Sequence, residues 1–398
     1  MKIGLTTSVI QRGKTGIAQY VFALLRALLA QADKLELTLF VLEEDVPLFS
    51  FAGTRANIVT VPEQFRPPIR NILWHQTALP GLARRHQLDV LHVPSYRRLL
   101  WPRPCPLVAT IHDLAPFRLA GKYDRARMFY GRVVARRLAR RLDRIIAVSH
   151  TTARDIAAYF NLPPERVTVV HNGLDHDRFH TRGRSNARTE IAGRYGFNQP
   201  FILYVARLEH PGKNHVRLIA AFNQFKQRTG SPWQLVLGGG DWHGAESIHA
   251  AIRASPYAAD IRVLGFVHDA ELPSFYRAAE VFVFPSLYEG FGMPPTEAMA
   301  CGCPVICSTR GSLGEVIGDA AAIIDPENPD SMADRLIAVA GDSGLRERLA
   351  LAGLSQAAKF NWERTAAETL AVYKSVVPSP KRRNAPAELA HHHGQYVA

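Results

Sequence analysis

Short runs of β-branched and aliphatic residues alternate with helical apolar spacing along this 398-residue chain, and this alternation constrains its fold most. In the first half the runs predict seven strands, at residues 3–7, 35–41, 58–61, 90–93, 107–111, 145–148 and 167–170. Helical patterns lie between them, one of them at residues 151–160 behind the N-cap candidate Ser149. Strands separated by helices predict a parallel sheet covered by helices on both faces.

The same pattern begins again in the second half of the chain. Six further strands are predicted at residues 201–206, 235–238, 261–265, 281–285, 304–307 and 321–324. We therefore expect two Rossmann-like doubly wound domains that bind ligands in the cleft between their strand ends. The predicted parts are a first domain (1–178), a second domain (179–360), a crossover helix (361–378) and a disordered tail (379–398). A linker region is expected at residues 176–200, where no strong period appears.

Composition narrows the class of protein. Apolar residues make up 47% and charged residues 21% of the chain, which is typical of a soluble globular protein and excludes wholesale disorder. The sequence shows neither a signal-peptide core nor a long uncharged apolar run, so a cytoplasmic location is expected. Four cysteines favour a reducing compartment. Cys301, Cys303 and Cys307 lack zinc-site spacing and are expected to be small buried side chains.

The positive charge is concentrated in the first half. Residues 1–178 contain 26 Lys and Arg against 14 Asp and Glu, whereas residues 179–398 contain 22 against 21. Much of the excess lies at residues 122–144, where a helix is predicted around residues 125–141. Phe129, Val133, Leu138 and Leu142 recur there at near-helical spacing and predict one apolar stripe. Two interpretations stay open: a solvated helix face, or an electrostatic surface for anionic lipid or a phosphorylated acceptor. Nucleic acid is not expected as a partner, because no recognition motif accompanies the charge.

The densest chemical signal is the segment FPSLYEGFGMPPTEAMA. Gly290, Phe291 and Gly292 form a turn in which backbone can approach a ligand closely, and two prolines then preset a helix with Glu297 in its first turn. A helix N-terminus at the carboxyl end of a strand suits a diphosphate. Glu289 and Glu297 flank this point, and carboxylates accept hydrogen bonds from sugar hydroxyls. Either glutamate alone would be a cap or a surface charge, but the spacing within this frame favours a site.

A second motif, ARLEHPGKN, follows the first strand of the second half. Arg207 and Lys213 lie at that strand's carboxyl end, and Asn214 is a candidate cap for the next helix. Two cations beside a helix N-terminus are suited to a diphosphate leaving group.

These motifs resemble the retaining glycosyltransferases of family 4, which have the GT-B fold of two facing Rossmann-like domains, and the resemblance covers nearly the whole chain. It implies that Glu289 contacts the donor sugar, that Glu297 contacts the nucleotide ribose and that Arg207 and Lys213 bind the diphosphate. It also implies that the first domain is the acceptor side and that the second domain binds the nucleotide sugar. Because Arg207 and Lys213 would neutralise the charge of the diphosphate, a metal ion is expected to be unnecessary, and no other cofactor is expected. The C-terminal helix is expected to pack back on the first domain.

Weaker signals fit the same resemblance. Gly16 lies in a glycine-containing turn that would border the diphosphate, and His112 ends a strand where the family has a histidine that reaches the sugar. Gly265 and Phe266 resemble the segment whose backbone contacts the nucleobase. The segment NGLD at residues 172–175 resembles the interdomain segment and is expected to shape the hinge.

The resemblance implies transfer of a hexose from a nucleoside diphosphate sugar to an acceptor hydroxyl, with retention of anomeric configuration. GDP-mannose is the favoured donor and a glycan or lipid-linked sugar the expected acceptor, in bacterial polysaccharide or lipopolysaccharide synthesis. UDP-glucose or another UDP-sugar is the alternative donor. An epimerase with the same fold, a phosphorylase and a non-catalytic sugar-nucleotide-binding protein are rival functions. The basic first half leaves peripheral membrane association open.

Overall fold

The computed structural model describes residues 1–13, 15–31, 35–98, 100–118, 128–197 and 199–378. The predicted disordered tail (379–398), Lys14 and the first part of the predicted basic helix, up to residue 127, lie outside these described residues.

The first half forms a seven-stranded parallel sheet with the strand order β3-β2-β1-β4-β5-β6-β7. The strands are β1 Lys2–Thr6, β2 Glu36–Leu42, β3 Ala56–Val61, β4 Val90–Val93, β5 Leu107–Ile111, β6 Arg144–Ala147 and β7 Val167–Val169. Most of their residues are buried, as expected for strands covered on both faces. Each strand lies within two residues of its prediction.

The second half forms a six-stranded parallel sheet with the order β10-β9-β8-β11-β12-β13. The strands are β8 Phe201–Val205, β9 Gln234–Gly238, β10 Ile261–Gly265, β11 Val281–Phe284, β12 Val305–Ser308 and β13 Ala322–Ile324. In this sheet the strand order reverses between β8 and β11. Ligand sites of doubly wound sheets lie at such reversals.

Helices connect the strands in both halves, so the predicted class, two α/β domains with parallel sheets, is confirmed. The longer helices are α1 Gly16–Gln31, α2 Pro68–Arg85, α3 His150–Phe160, α4 Arg184–Tyr195, α5 His215–Thr229, α6 Ala245–Arg253, α7 Leu272–Ala278, α8 Met293–Ala300, α9 Leu313–Ile317, α10 Pro329–Gly341, α11 Ser343–Ala357 and α12 Trp362–Val376. Cys301, Cys303 and Cys307 are buried, as predicted.

The last helix, α12, returns to the first domain, as predicted. Its residues Ala366 and Tyr373 are fully buried in the same apolar cluster as α1. In the predicted interdomain segment at residues 172–175, Gly173 packs so tightly that a Cβ there would lie 2.4 Å from the backbone nitrogen of Trp362. This segment therefore lies directly against the start of α12, the helix that returns to the first domain.

The segment at 176–200 is not only a linker. It contains α4, whose buried Ala187 and Ile191 face the second domain, and Tyr195 packs on Phe275 of α7 with ring centroids 4.9 Å apart. The apolar period was weak because α4 is mostly polar outside these positions.

The predicted apolar stripe of the basic helix is confirmed only in part within the described residues. Leu142 is buried and Leu138 packs against the core of the first domain, but Phe129 is 64% exposed. Gly131, Ala135 and Ala139 are buried as well. A π-helix at Tyr130–Ala135 changes the period at the start of this segment. Small residues therefore share the packed face with Leu138.

Candidate active site

The loops that follow β8 and β11 meet at the carboxyl edge of the second sheet. Lys213 lies in the first loop and Glu289 in the second, and Lys213 Nζ is 2.6 Å from Glu289 Oε1. The backbone N–H of Leu287 donates to the Gly212 carbonyl at 3.0 Å, which joins the loops independently of the charges. The predicted cation and sugar-binding carboxylate are therefore direct neighbours.

Asn214 fixes the position of Lys213, but it does so differently from the predicted side-chain cap. It has left-handed backbone torsions (φ 64°) and makes no side-chain cap bond to α5. Its side-chain amide instead donates to the carbonyls of Pro285, at 3.0 Å, and Pro326, at 2.6 Å. The amide thus joins the start of α5 to the loops after β11 and β13.

The loop after β9 brings Arg207 close to the predicted nucleobase segment. Gly239 packs against the residue pair Ala206 and Arg207, where a Cβ would lie 1.9 Å from the Ala206 carbonyl oxygen. The Gly239 N–H donates to the carbonyl of Gly265 at 2.7 Å. Arg207 itself pairs with Glu209 at 3.1 Å, and its side chain is 48% exposed. The loops after β8, β9 and β10 thus form one continuous surface.

The glycine turn between Glu289 and α8 is closely packed. The N–H and the hydroxyl of Ser312 both donate to the Glu289 carbonyl, at 3.0 and 3.1 Å. Gly292 is in the left-handed region (φ 109°) directly before α8, and Phe291 is buried against Phe360. These residues shape the turn by packing and backbone geometry.

Glu297 differs from its prediction in position. Since α8 begins at Met293, Glu297 is its fifth residue and lies beyond the first turn. Its Oε2 accepts a hydrogen bond of 2.9 Å from the Tyr276 hydroxyl. Burial of the carboxyl group raises the pKa of Glu297 to about 7, although part of the residue remains exposed. A carboxyl group held this way is poised to gain from hydroxyl donors.

His112, at the end of β5, faces this turn from the other domain. The backbone at Gly290 lies so close that a Cβ there would be 1.7 Å from the His112 carbonyl oxygen. Burial lowers the pKa of His112 to about 4, so the imidazole is neutral at neutral pH. Its ring bonds to the Pro94 backbone, and Nε2 has no hydrogen-bond partner among the described residues. His112 thus offers an unused polar atom beside the Glu289 loop.

The first turn of α1 also reaches the second domain. Gly16 begins this helix, and open space surrounds the position of a Cβ there. One turn later, the Gln19 amide donates to Asp269 at 2.9 Å, in the segment after Gly265. Phe266 in that segment is 59% exposed. Gly16 and the predicted nucleobase segment therefore lie at the same side of the cleft.

The N-terminus of α3 makes further interdomain contacts that the sequence did not indicate. The predicted cap Ser149 accepts from the Thr152 N–H, and its hydroxyl also donates to the Gly290 carbonyl at 2.8 Å. The Tyr288 hydroxyl donates to buried Asp155 of α3 at 2.7 Å. Only the cap could be found from sequence, because the two interdomain bonds join residues 141 and 133 positions apart.

Three side chains at this interface, His150, His171 and Glu315, place potential metal-ligating atoms within 4.8 Å of one another. Glu315 already accepts from the N–H groups of His150, at 2.8 Å, and Thr151, at 3.2 Å, and from His171 Nε2 at 2.7 Å. These bonds account for the cluster as an interdomain cap on α3.

Comparison with known proteins identifies the family. Residues 14–178 match Glycosyltransferase Family 4, and residues 188–355 match Glycosyl transferases group 1. The chain is 30% identical over 390 residues to O-antigen chain mannosyltransferase B from Escherichia coli, covering 94% of this chain and 100% of that protein. The chain belongs to this glycosyltransferase family.

Solved structures show the same GT-B fold. Sucrose-phosphate synthase from Thermosynechococcus elongatus superposes with a TM-score of 0.75 at 19% identity, covering 94% of this chain and 98% of that one. Anabaena HepE, in complex with UDP and glucose, gives 0.74 at 20% identity, covering 94% and 100%. The matched families and relatives are transferases, which disfavours the epimerase alternative.

This glycosyltransferase has no helix, within the part of the chain described, that is both long and apolar enough to cross a membrane.

Proposed function

We propose that this glycosyltransferase moves a hexose from a nucleoside diphosphate sugar to a glycan or lipid-linked acceptor in bacterial polysaccharide synthesis. One observation carries the proposal: the Lys213–Glu289 pair lies at the sheet edge where the Gly290 turn touches His112 of the other domain. A sugar bound there would contact groups from both domains. GDP-mannose is the favoured donor because the full-length relative is an O-antigen chain mannosyltransferase. A UDP-sugar is the alternative, since HepE was crystallised with UDP and glucose.

The positions of two positive charges support the binding of a diphosphate between Arg207 and Lys213. Arg207 borders the loop after β9 and Lys213 borders the loop after β11, so the β8 loop presents one cation toward each side. Lysine has three N–H donors, and the bond to Glu289 uses one of them. The others can donate to phosphate oxygens as negative charge develops on the leaving group. We propose that these side chains make a metal ion unnecessary.

The remaining site residues would hold the rest of the donor. Glu289 would accept hydrogen bonds from sugar hydroxyls, and neutral His112 would offer Nε2 to another. Glu297 would accept from the ribose hydroxyls. The backbone of Gly265 and Phe266 would contact the base, and Gly16 leaves room for the diphosphate at the start of α1. Each of these roles uses a group already positioned by the fold.

We propose retention of configuration through departure and attack on the same face of the sugar. The bond between the anomeric carbon and the β-phosphate oxygen breaks, and a bond from that carbon to the acceptor oxygen forms. The acceptor proton moves to the departing phosphate oxygen. The protein then contributes orientation and charge stabilisation rather than a covalent intermediate.

We propose that the basic domain binds the acceptor's membrane from the cytoplasmic side. Exposed apolar residues accompany its arginines: Ile69 (75%), Leu73 (55%) and Phe129 (64%). Their segments adjoin, because Arg98 donates to Asn71 of α2 at 2.7 Å and the Tyr130 hydroxyl to the Arg97 carbonyl at 3.1 Å. Apolar side chains among cations are typical of surfaces that bind anionic bilayers.

Donor binding and turnover test the proposal together. Thermal melting with GDP, UDP, ADP and TDP should show the largest stabilisation with the cognate nucleotide, because a ligand that binds the native state raises its melting temperature. With that donor and a lipid-linked acceptor, transfer should persist in EDTA, and proton NMR should show an α-linkage from an α-linked donor. A β-linked product would exclude retention, and loss of transfer in EDTA with rescue by a metal would exclude metal independence.

Vesicle binding tests the membrane proposal separately. Vesicles rich in anionic lipid should bind the protein at low salt, and neutral vesicles should not. If neither kind binds, the acceptor is better sought among soluble glycans.

A further inference from the structure

Trp242 lies over the guanidinium of Arg207. The Arg207 Cζ atom is 4.8 Å from the centroid of the Trp242 ring, and the indole is 46% exposed. The two residues belong to different loops, after β9 and after β8. A guanidinium at this distance from an aromatic face is attracted by the ring quadrupole and packs against it.

The loop that carries Trp242 is held in place by backbone bonds to the Arg207 loop. The Trp242 N–H donates to the Leu208 carbonyl at 3.0 Å, and the Leu208 N–H donates to the Gly240 carbonyl at 3.0 Å. Further along the same two loops, the His210 N–H donates to the His243 carbonyl at 2.9 Å. These backbone hydrogen bonds therefore hold the Trp242 loop, and with it the indole, next to Arg207.

Arg207 needs such support. Its side chain is 48% exposed, and its ion pair with Glu209, at 3.1 Å, uses only one terminal nitrogen. A half-exposed arginine has many rotamers, and an ion pair through one terminal nitrogen does not fix the plane of its guanidinium group, even though Glu209 is buried. Contact with the ring restrains the guanidinium group, and the N–H groups that do not pair with Glu209 can still donate to a ligand.

We propose that Trp242 is a positioning residue that holds Arg207 for the diphosphate leaving group. The inference rests on the proposed function. Because the demand for a positioned cation is greatest when the sugar–phosphate bond breaks, loss of the ring affects kcat more than the donor KM. Trp242→Ala should lower kcat by about 3- to 30-fold, the range that corresponds to a cation–π contact. Trp242→Phe keeps an aromatic face and should recover most of the loss.

A double-mutant cycle on the full chain tests this role. Arg207→Ala, Trp242→Ala and the combined variant are compared with wild type for kcat and KM, with melting temperature as the folding check. If Trp242 acts through Arg207, then Trp242→Ala should change kcat by less than about twofold once Arg207 is absent. Independent, multiplicative losses would overturn the inference, and so would unchanged kcat in Trp242→Ala.

Trp233 provides a matched control at the opposite end of β9. It also lies under an arginine, with Arg346 Cζ 5.7 Å from its ring centroid, but far from the site edge of the sheet. Trp233→Ala should lower the melting temperature and leave kcat of the folded enzyme nearly unchanged. If Arg207→Ala keeps full activity, the proposed diphosphate role itself fails. If Arg207→Ala is impaired and the cycle is multiplicative, only the role of Trp242 fails.

Discussion

Burial of the Glu297 carboxyl group lowers the stability of the folded protein when the group is ionised. Its carboxyl group is shielded between α8 and Tyr276, and burial raises its pKa to about 7. Above that pH the folded protein must hold a poorly solvated carboxylate, whereas the unfolded chain exposes it to water. A donor that supplies hydroxyl groups would compensate for this when it binds.

Glu297→Gln should therefore stabilise the free protein at high pH. At pH 4.5 Glu297 is protonated in the folded protein and only about half ionised in the unfolded chain, so the two proteins should melt nearly alike. The difference should grow as pH rises to about 7 and then stay constant, with a limit of about 3 kcal/mol in unfolding free energy. Melting curves from pH 4.5 to 8.5 measure it. A variant less stable than wild type at pH 8 would contradict the account of this carboxyl group.

At the scale of elements, the spacing of apolar residues in the sequence predicted most of the fold. Thirteen short apolar runs predicted the strands because parallel strands buried on both faces must be apolar throughout. The same reasoning failed in two helical segments where the spacing of apolar residues was weak or irregular. Helix α4 has few apolar positions, and near the π-helix at Tyr130–Ala135 the large Phe129 is exposed whereas the small Ala135 is buried.

The sequence predicted the individual residues of the candidate site, but not which of them contact one another. Glu289 and Lys213 stood out as motif residues, yet their contact follows from the adjacency of β8 and β11, which the sequence order does not reveal. Trp242 was not singled out because an isolated tryptophan after a strand has no distinctive spacing. Contacts across the cleft, such as Tyr288 with Asp155, need both domains in place.

Gly290 gives the prediction at the scale of elements. An added Cβ would lie 1.7 Å from the His112 carbonyl oxygen. Because the Cβ is fixed to the backbone of one loop and the oxygen belongs to the backbone of the other, the two loops must separate. Gly290→Ala should lower kcat/KM by about two orders of magnitude, the cost of misplacing reacting groups by roughly 1 Å. Gly193→Ala is the control, because a Cβ there meets nothing within 4 Å. Equal activity in the two variants would mean that the close contact between Gly290 and His112 does not position the reacting groups.

At the scale of the whole molecule, the N-terminus of α3 joins the domains. Its first three N–H groups are satisfied by Glu315 of the second domain and by Ser149. Burial alone would raise the pKa of Glu315, but bonds from His171 and from these N–H groups outweigh it and lower the pKa. The carboxylate is therefore charged at neutral pH and complements the positive end of the helix.

Removal of this cap should favour separation of the domains. Glu315→Ala deprives two helix N–H groups of their acceptor, a loss of about 1 kcal/mol for a helix cap. We expect a larger radius of gyration by small-angle X-ray scattering and a higher donor KM. Glu327→Ala removes an exposed carboxylate that pairs with Arg310 within the second domain and should leave both unchanged. An unchanged radius and KM in Glu315→Ala would show that the cap does not hold the domains.

The rate of sugar transfer by Lys213→Ala tests the central claim most directly. With saturating donor and acceptor, the turnover number should fall by about three orders of magnitude, because the leaving diphosphate loses the cation that Glu289 holds in place. Lys374→Ala, at an exposed position of α12, should match wild type in the same assay. Wild-type turnover in folded Lys213→Ala would mean that the bond is broken somewhere other than between these loops.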